Sequence, residues 1–165
     1  MSRTLPRRFL REKEARRLLT DFSQRVGMEA ERLFGSKPRV EVTEISDMEI
    51  FMVNEKALLA KSKNLLFPTL AFDGLFPLLP RVVVDMGAVP HICKGADIMA
   101  PGVVQVKGSF KEGDFLLIVD ERHRKSLAVG VALHDSETMK SLSRGKVVKN
   151  IHYVGDELWN LLKQI

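Results

Sequence analysis

Lys94-Gly95-Ala96-Asp97 is the stretch whose residue types best suit contact with a phosphodiester chain. Two nearly featureless residues leave the main chain bare, so a sugar–phosphate backbone can approach its N–H groups closely. A plain helix cap before a strand would use the same residues, and both readings stand at this point. Asp97 is open in the same way. A carboxylate after a glycine turn either binds nearby backbone N–H groups or discriminates the sugar and base groups of a ligand. Cys93, the only cysteine, is either a small packed hydrophobe or a nucleophile assisted by His91. The four histidines, His91, His123, His134 and His152, stand at no metal-ligand spacing with one another or with paired carboxylates. No glycine-rich phosphate loop, nucleophile elbow or paired acid–base constellation occurs. No catalytic residue, metal or cofactor is therefore assigned, and a small hydrolase or transferase using Cys93 and His91 is the enzymatic alternative.

The elements that must hold this stretch can be read on either side of it. Val82-Val83-Val84 is a continuous β-branched run, the pattern of a strand buried on both faces. Ala88 to Lys94 has room for two turns of helix, with Pro90 in the first turn, where its missing N–H removes no intrahelical bond. Gly95 then provides a left-handed cap. Ile98 to Val104 resumes as a strand, interrupted by Pro101-Gly102, which marks an edge or a bulge. Downstream, Phe115–Val119, Leu127–Leu133 and Val147–Val154 read as strands, and Gly130 within one of them marks a bend or close packing at a barrel corner. Ser136 is expected to cap a short helix through Leu142, and Asp156 to Leu162 to close the chain as a helix with Trp159 packed on the barrel. Tyr153 is expected in the core. Five short strands with two small helices fit a closed or nearly closed β-barrel.

The first part of the chain reads differently. Thr4 or Ser2 is expected to cap a helix with Pro6 in its first turn and an apolar stripe from Phe9 through Ala15, Leu18, Leu19 and Phe22 to Val26. Gly27 would stop it, and residues 28–34 add a short helical piece. Residues 39–45 and 49–53 read as strands around a Ser46-Asp47 turn. Lys56 to Lys61 is ambiguous, Lys61 to Asn64 reads as a basic loop, and Thr69 to Leu75 as a short helix. Pro68, Pro77 and Pro80 punctuate a join, which places the domain boundary near Pro80 and the domains at 1–79 and 80–165. The apolar residues crowding that join imply a packed interface rather than a flexible linker.

Charge separates the two parts. Net charge is +5 over 165 residues. Residues 1–20 hold seven basic side chains against two acidic ones, so the remainder is formally neutral. Such a block suits a polyanion, with a solvated helix face as the alternative. No apolar run approaches membrane-span length, and no apolar core follows the arginine-rich start, so neither a membrane partner nor a signal peptide is expected. A single cysteine suits a reducing cytoplasm.

The runs VVVDMGAVPHICKGADIMAPGVV, FKEGDFLLIVDE and LAVGVAL resemble a PUA domain, the pseudouridine synthase and archaeosine transglycosylase module. The tail GKVVKNIHYVGDELW and the upstream FPTLAFDGLFPLLPRVVVD are similar to the malignant T-cell-amplified-sequence proteins and their archaeal relatives. The likeness covers residues 64–160, with a looser match of residues 1–63 to the small domain that precedes PUA in that family. It implies an α+β chain, a small mixed N-terminal domain packed on a C-terminal PUA β-barrel, that binds RNA in translation without catalysis. In PUA domains the loop after the first helix and the last strand lie side by side and grip RNA. That implicates Lys94, Gly95, Ala96, Asp97, Met99 and Pro101, with Lys146, Lys149 and His152. The family's N-terminal region engages the small ribosomal subunit, which implicates Arg7, Arg8, Arg11, Arg17, Lys61 and Lys63 in ribosomal RNA contact. Transfer RNA, through its acceptor end, and a translation-factor partner protein are the further partners implied. An accessory subunit delivering RNA to a tRNA-modifying enzyme is the alternative.

Overall fold

The computed structural model describes residues 5–165. The chain forms two compact units, one of residues up to Leu75 together with Leu161–Ile165, the other of Phe76–Asn160.

The first unit starts not with a helix but with a strand. Strand β1 (Arg8–Phe9) pairs antiparallel with β2 (Val40–Ile45), Phe9 opposite Glu41. Helix α1 spans Glu12–Val26. Ser2 and Thr4, the expected caps, lie outside the described residues, and the helix begins well past Pro6. Arg11 holds the cap position, and its N–H donates to the Glu14 carboxylate at 3.3 Å. Sheet pairing has thus claimed Phe9, which leaves the apolar stripe and stands 55% exposed. Ala15, Leu19 and Phe22 form the buried face of α1. Gly27 ends the helix as expected, at φ 70°, and α2 (Ala30–Phe34) follows. The rings of Phe22, Phe34 and Phe72 meet at centroid distances of 5.6–6.2 Å.

Strands β2, β3 (Met48–Val53), β4 (Lys56–Ser62) and β5 (Leu65–Pro68) continue the sheet as an antiparallel meander in the order β1-β2-β3-β4-β5. The ambiguous stretch after Lys56 is therefore a strand. The basic loop is shorter than expected, because Lys61 and Ser62 belong to β4. Lys63-Asn64 and Asn54-Glu55 are two-residue turns with φ between 52° and 72°, the primed geometry that matches strand twist. Thr69 to Leu75 is not a helix. Thr69 is fully buried, its hydroxyl donating to the Ala57 carbonyl at 2.6 Å, so the segment is pinned as a series of turns.

The second unit is a six-stranded sheet in the order β7-β11-β10-β9-β6-β8. Its members are β6 (Arg81–Val84), β7 (Ile98–Met99), β8 (Val103–Lys107), β9 (Phe115–Asp120), β10 (Ser126–Ala132) and β11 (Lys146–Tyr153). Helix α3 (Val89–Ile92) stands between β6 and β7, α4 (Ser136–Ser141) between β10 and β11, and α5 (Glu157–Leu162) after β11. β6 pairs parallel with β9 and antiparallel with β8. Val82 and Val84 join a core with Leu116 and Ile118, while Val83 points the other way, against Leu117, Val119 and Phe76. The strand is buried on both faces, as its β-branched run predicts.

Pro101-Gly102 does more than mark a bulge. It splits the expected strand into β7 and β8, which lie at opposite edges of the sheet yet are joined by one 3-10 turn, Ala100–Gly102. Three residues span only about 10 Å even when extended, so the sheet must curl until its edges meet. Closure removes most of the exposed strand edge. Among the described residues, no helix is long and apolar enough to cross a membrane.

Local capping differs in α4. Asp135, not Ser136, caps α4, accepting from the Thr138 N–H at 2.8 Å. Ser136 is buried and its hydroxyl accepts from the Phe110 N–H. In α5 the buried residues are Leu158 and Leu161, while Trp159 is half-buried.

Gly130 shows why a strand interior tolerates no side chain here. The β10–β11 register shifts between Val129 and Gly130. A Cβ at 130 would run into Val148 Cγ1 and stand 2.9 Å from the Lys149 carbonyl oxygen. Gly130→Ala should lower stability by about 1–3 kcal/mol through overpacking, read as a lower urea midpoint at unchanged slope. Asp120 offers a second test. Its buried carboxylate accepts the N–H groups of His123, Arg122 and Lys125 at 2.6–3.0 Å. The His123 N–H foremost holds its pKa below the usual carboxylate value, against the opposing effect of burial. A depressed folded pKa stabilises above the unfolded pKa, and the gain is lost as pH falls through the folded value. Asp120→Asn should therefore reduce stability at neutral pH and flatten its decline below about pH 4, measured by denaturation across an acid series.

Candidate nucleic-acid interface

Helix α3 is held at both ends by its own backbone and one carboxylate. Asp85 accepts from the Ala88 N–H at 2.8 Å at the start. At the exit, the Ala96 N–H donates to the His91 carbonyl and the Gly95 N–H to that of Ile92, both at 3.0 Å. This pair of bonds is the Schellman closure, and Gly95 takes the positive φ it requires, 97°. Gly95 is fixed by a second constraint. A Cβ there would come within 3.1 Å of the Tyr153 hydroxyl oxygen and 3.3 Å of its ring.

The bare main chain at Gly95-Ala96 is thus not a set of free donors. Both N–H groups are used by the cap, so of the two readings of this loop the plain helix cap is the one its main-chain bonds follow. The carbonyls nearby are engaged too: Asn150 Nδ2 donates to the Ile92 and Ala96 oxygens, each at 3.0 Å. What the loop presents is a close-approach surface, with Ala96 exposed and Gly95 half-buried.

Asp97 resolves toward a structural role. One carboxylate oxygen accepts from the Asn150 N–H at 2.9 Å, and the other lies 3.3 Å from Lys146 Nζ. The N–H it binds lies on β11, far along the chain, rather than in its own turn. With the Lys146 pair largely exposed, the ion pair adds little stability of its own. Asn150 is the residue the sequence concealed. A lone asparagine inside VVKNIHY carries no signal except its polarity, yet it links α3's exit, β7's start and β11.

Around this corner, Lys94, Met99, Pro101, Lys146 and Lys149 are exposed. Met99 stands directly opposite Lys146 in the β7–β11 pairing and is 45% exposed. The structure therefore brings together Lys94, Gly95, Ala96, Asp97, Met99 and Lys146, with Pro101 in the turn after β7, while Lys149 is exposed further along β11. His152 does not belong to this face. It is fully buried, with Nδ1 2.8 Å from an Asp156 carboxylate oxygen, because the chain reverses at Gly155 and folds Asp156 back over the end of β11. Asp156 is ionised more readily than usual: burial opposes it, but the His152 side chain and the Trp159 and Tyr153 N–H groups outweigh that cost. Tyr153 packs half-buried against the core. Cys93 also packs there, and burial pushes its thiol pKa up, away from a reactive thiolate. Among the described residues, no group of three or more His, Cys, Asp or Glu is placed to hold a metal.

In the first unit the basic residues do not share one helix face. Arg7 precedes β1, Arg8 lies on it, Arg11 caps α1 and Arg17 is within it, all four exposed. Arg16 pairs with Glu12 at 3.2 Å. Lys61 is half-buried opposite Glu49 in the β3–β4 register, and Lys63 is exposed in the following turn.

Two family models match the chain, PUA domain over residues 80–154 and a domain of unknown function, DUF1947, over residues 6–72. An uncharacterized protein of Methanocaldococcus jannaschii is 40% identical over 79% of this chain and 81% of its own. Translation machinery-associated protein 20 of Eremothecium gossypii is 30% identical over 79% of this chain and 76% of its own. A solved PUA-domain structure from Aeropyrum pernix superposes with a TM-score of 0.84 at 33% identity, covering 97% of this chain and 92% of that one. The resemblance read from the motifs holds along both units: the chain belongs to the family that joins a DUF1947 domain to a PUA domain, alongside translation machinery-associated protein 20 and malignant T-cell-amplified sequence 1.

Proposed function

We propose that this chain is a non-catalytic RNA-binding protein of translation. Its PUA unit receives the acceptor end of a transfer RNA, and its arginine-rich start holds ribosomal RNA of the small subunit. The observation that carries this reading is the corner at Lys94–Pro101. The Gly95 and Ala96 N–H groups and the Ile92 and Ala96 carbonyls are met internally by the α3 cap and Asn150, while Lys94 within it, Lys146 beside Asp97 and Lys149 further along β11 are exposed. Such a surface suits a ligand recognised by shape and terminal position, with lysines supplying phosphate attraction. The family's translation-associated relative supports the setting. The packed, unactivated Cys93 speaks for binding over thiol chemistry. A translation-factor protein acting beside it is part of the same proposal.

The direct test is binding of transfer RNA with and without its 3′ terminal nucleotides across a salt series. Intact RNA should bind more tightly, and Lys94→Glu with Lys149→Glu should remove that preference without changing circular dichroism. Each lost single-strand phosphate contact should lower the salt slope by roughly 0.7. Equal binding of both RNAs would overturn acceptor-end recognition, and retention by a tRNA-modifying enzyme instead of ribosomal subunits would overturn the translation role.

Asn150→Ala separates shape from charge. It leaves the Ile92 and Ala96 carbonyls without their partner, at a cost of about 1–3 kcal/mol. Preference for the intact 3′ end should fall while the salt slope stays unchanged.

A further inference from the structure

The first unit contains a groove of about 760 Å³ lying between α1, α2 and the β1–β2 edge. That is within the roughly 300–1,000 Å³ range of small-ligand clefts, and so admits a nucleotide but not a folded helix of RNA. We propose that this groove is a second RNA site, one that takes a single unpaired base against Phe9 and Arg39 with its phosphate toward Lys37. The inference rests on the RNA-binding reading above and deepens it for the first unit, naming the place beside the arginine-rich start where one base is held.

Two observations carry it. Phe9 is a large aromatic left 55% exposed on a two-residue strand, and Arg39 lies over its ring, the guanidinium carbon 4.8 Å from the centroid. The pairing follows from register: with Phe9 opposite Glu41, Arg39 is its diagonal neighbour on the same face of the sheet. The frame behind it is fixed. The Asn54 side chain accepts from the Arg39 N–H at 3.0 Å and donates to the Phe34 carbonyl at 3.2 Å, tying the start of β2 to the end of α2. The stacked Phe9–Arg39 pair thus lies on the lining of an open cleft, with the ring's other face not covered by Arg39. Leu19, Phe34 and Pro38 make its walls apolar.

Charge selects the occupant. Lys37 and Arg39 stand on the groove, and residues 5–20 beside it carry six basic side chains against two acidic ones. Glu12 and Glu31 also line the groove, but Glu12 is paired with Arg16. An acidic peptide would satisfy the cations and leave the stacked faces unused. A nucleotide uses both, its base on the Phe–Arg pair and its phosphate on the lysine.

The experiment uses the full chain carrying Lys94→Glu and Lys149→Glu, so that the PUA face is silent. The probe is a fluorescent single-stranded oligoribonucleotide of about seven nucleotides, within the usual single-strand site size, without a transfer-RNA 3′ end. Phe9→Ala should weaken binding by about 5- to 100-fold, the loss of one base–aromatic stack, with the salt slope unchanged. Lys37→Glu should instead lower the slope by about 0.7. In the Phe9→Trp variant, the added indole emission, read above the native Trp159 signal, should be quenched by RNA. Phe9 is exposed, so these variants should keep the circular dichroism and thermal midpoint of the parent. Phe9→Ala binding within about twofold of the parent, where a lost stack predicts at least about fivefold, would overturn the groove site. So would unquenched indole emission in the Phe9→Trp variant, an equal loss for duplex RNA, or tighter binding of an acidic peptide. None of those outcomes bears on acceptor-end recognition, whose failure would show in the transfer-RNA comparison instead.

Discussion

The second unit depends on the bonds that fasten β7 to β11. β7 has two residues, too few for a ladder to hold on its own, yet it is the edge through which the barrel closes. Asp97 and Asn150 make up the deficit. The Asp97 carboxylate takes the Asn150 N–H, and the Asn150 side chain reaches back to the carbonyls at both ends of the α3 exit. A strand interior normally has no use for an asparagine, since its amide competes with the ladder. Here Asn150 lies opposite Gly130, next to the shift in the β10–β11 register, and the missing side chain at 130 leaves room for Val148 and the Lys149 carbonyl. Gly130 on β10, Asn150 on β11 and Asp97 just before β7 act as one device.

The device also determines what the surface can do. Because the cap uses the N–H groups of Gly95 and Ala96, the corner has no unsatisfied main-chain donors there to offer a phosphate. Attraction must come from side chains, and Asp97 already draws Lys146 toward itself. Lys94 and Lys149 therefore count for more than the glycine loop between them. On the proposed reading, the backbone shapes the seat and these lysines hold what sits in it.

Much of the barrel was legible because its signals are local. Val82–Val84 announced a strand buried on both faces, Pro90 and Gly95 bracketed α3, and Gly130 announced close packing. Most of the failures are non-local. Phe9 fits a helical stripe by spacing, but pairing with distant β2 claimed it. Asn54-Glu55 and Lys63-Asn64 form primed turns without the usual glycine, so β4 and β5 lacked their strongest hairpin signal. His152 alternates like a surface residue, and only the return of Asp156 buries it. Asn150 could not be found from its neighbours, since the hydrogen-bond partners of its side chain and of its N–H lie more than fifty residues away.

Charge and geometry fall on different units, and that division bears on function. Phe76–Asn160 holds eleven basic against ten acidic residues, so the barrel has almost no net field with which to attract RNA. The excess sits in the first twenty residues, where exposed arginines are spread over a strand, a cap and a helix rather than aligned on one face. A dispersed cationic surface yields salt-dependent affinity with little sequence information. A near-neutral surface of fixed shape yields the converse, discrimination with modest attraction. On the proposed reading, holding a large RNA assembly while testing one small feature of an RNA uses both, and coupling them in one chain raises the effective concentration of the second contact once the first has formed.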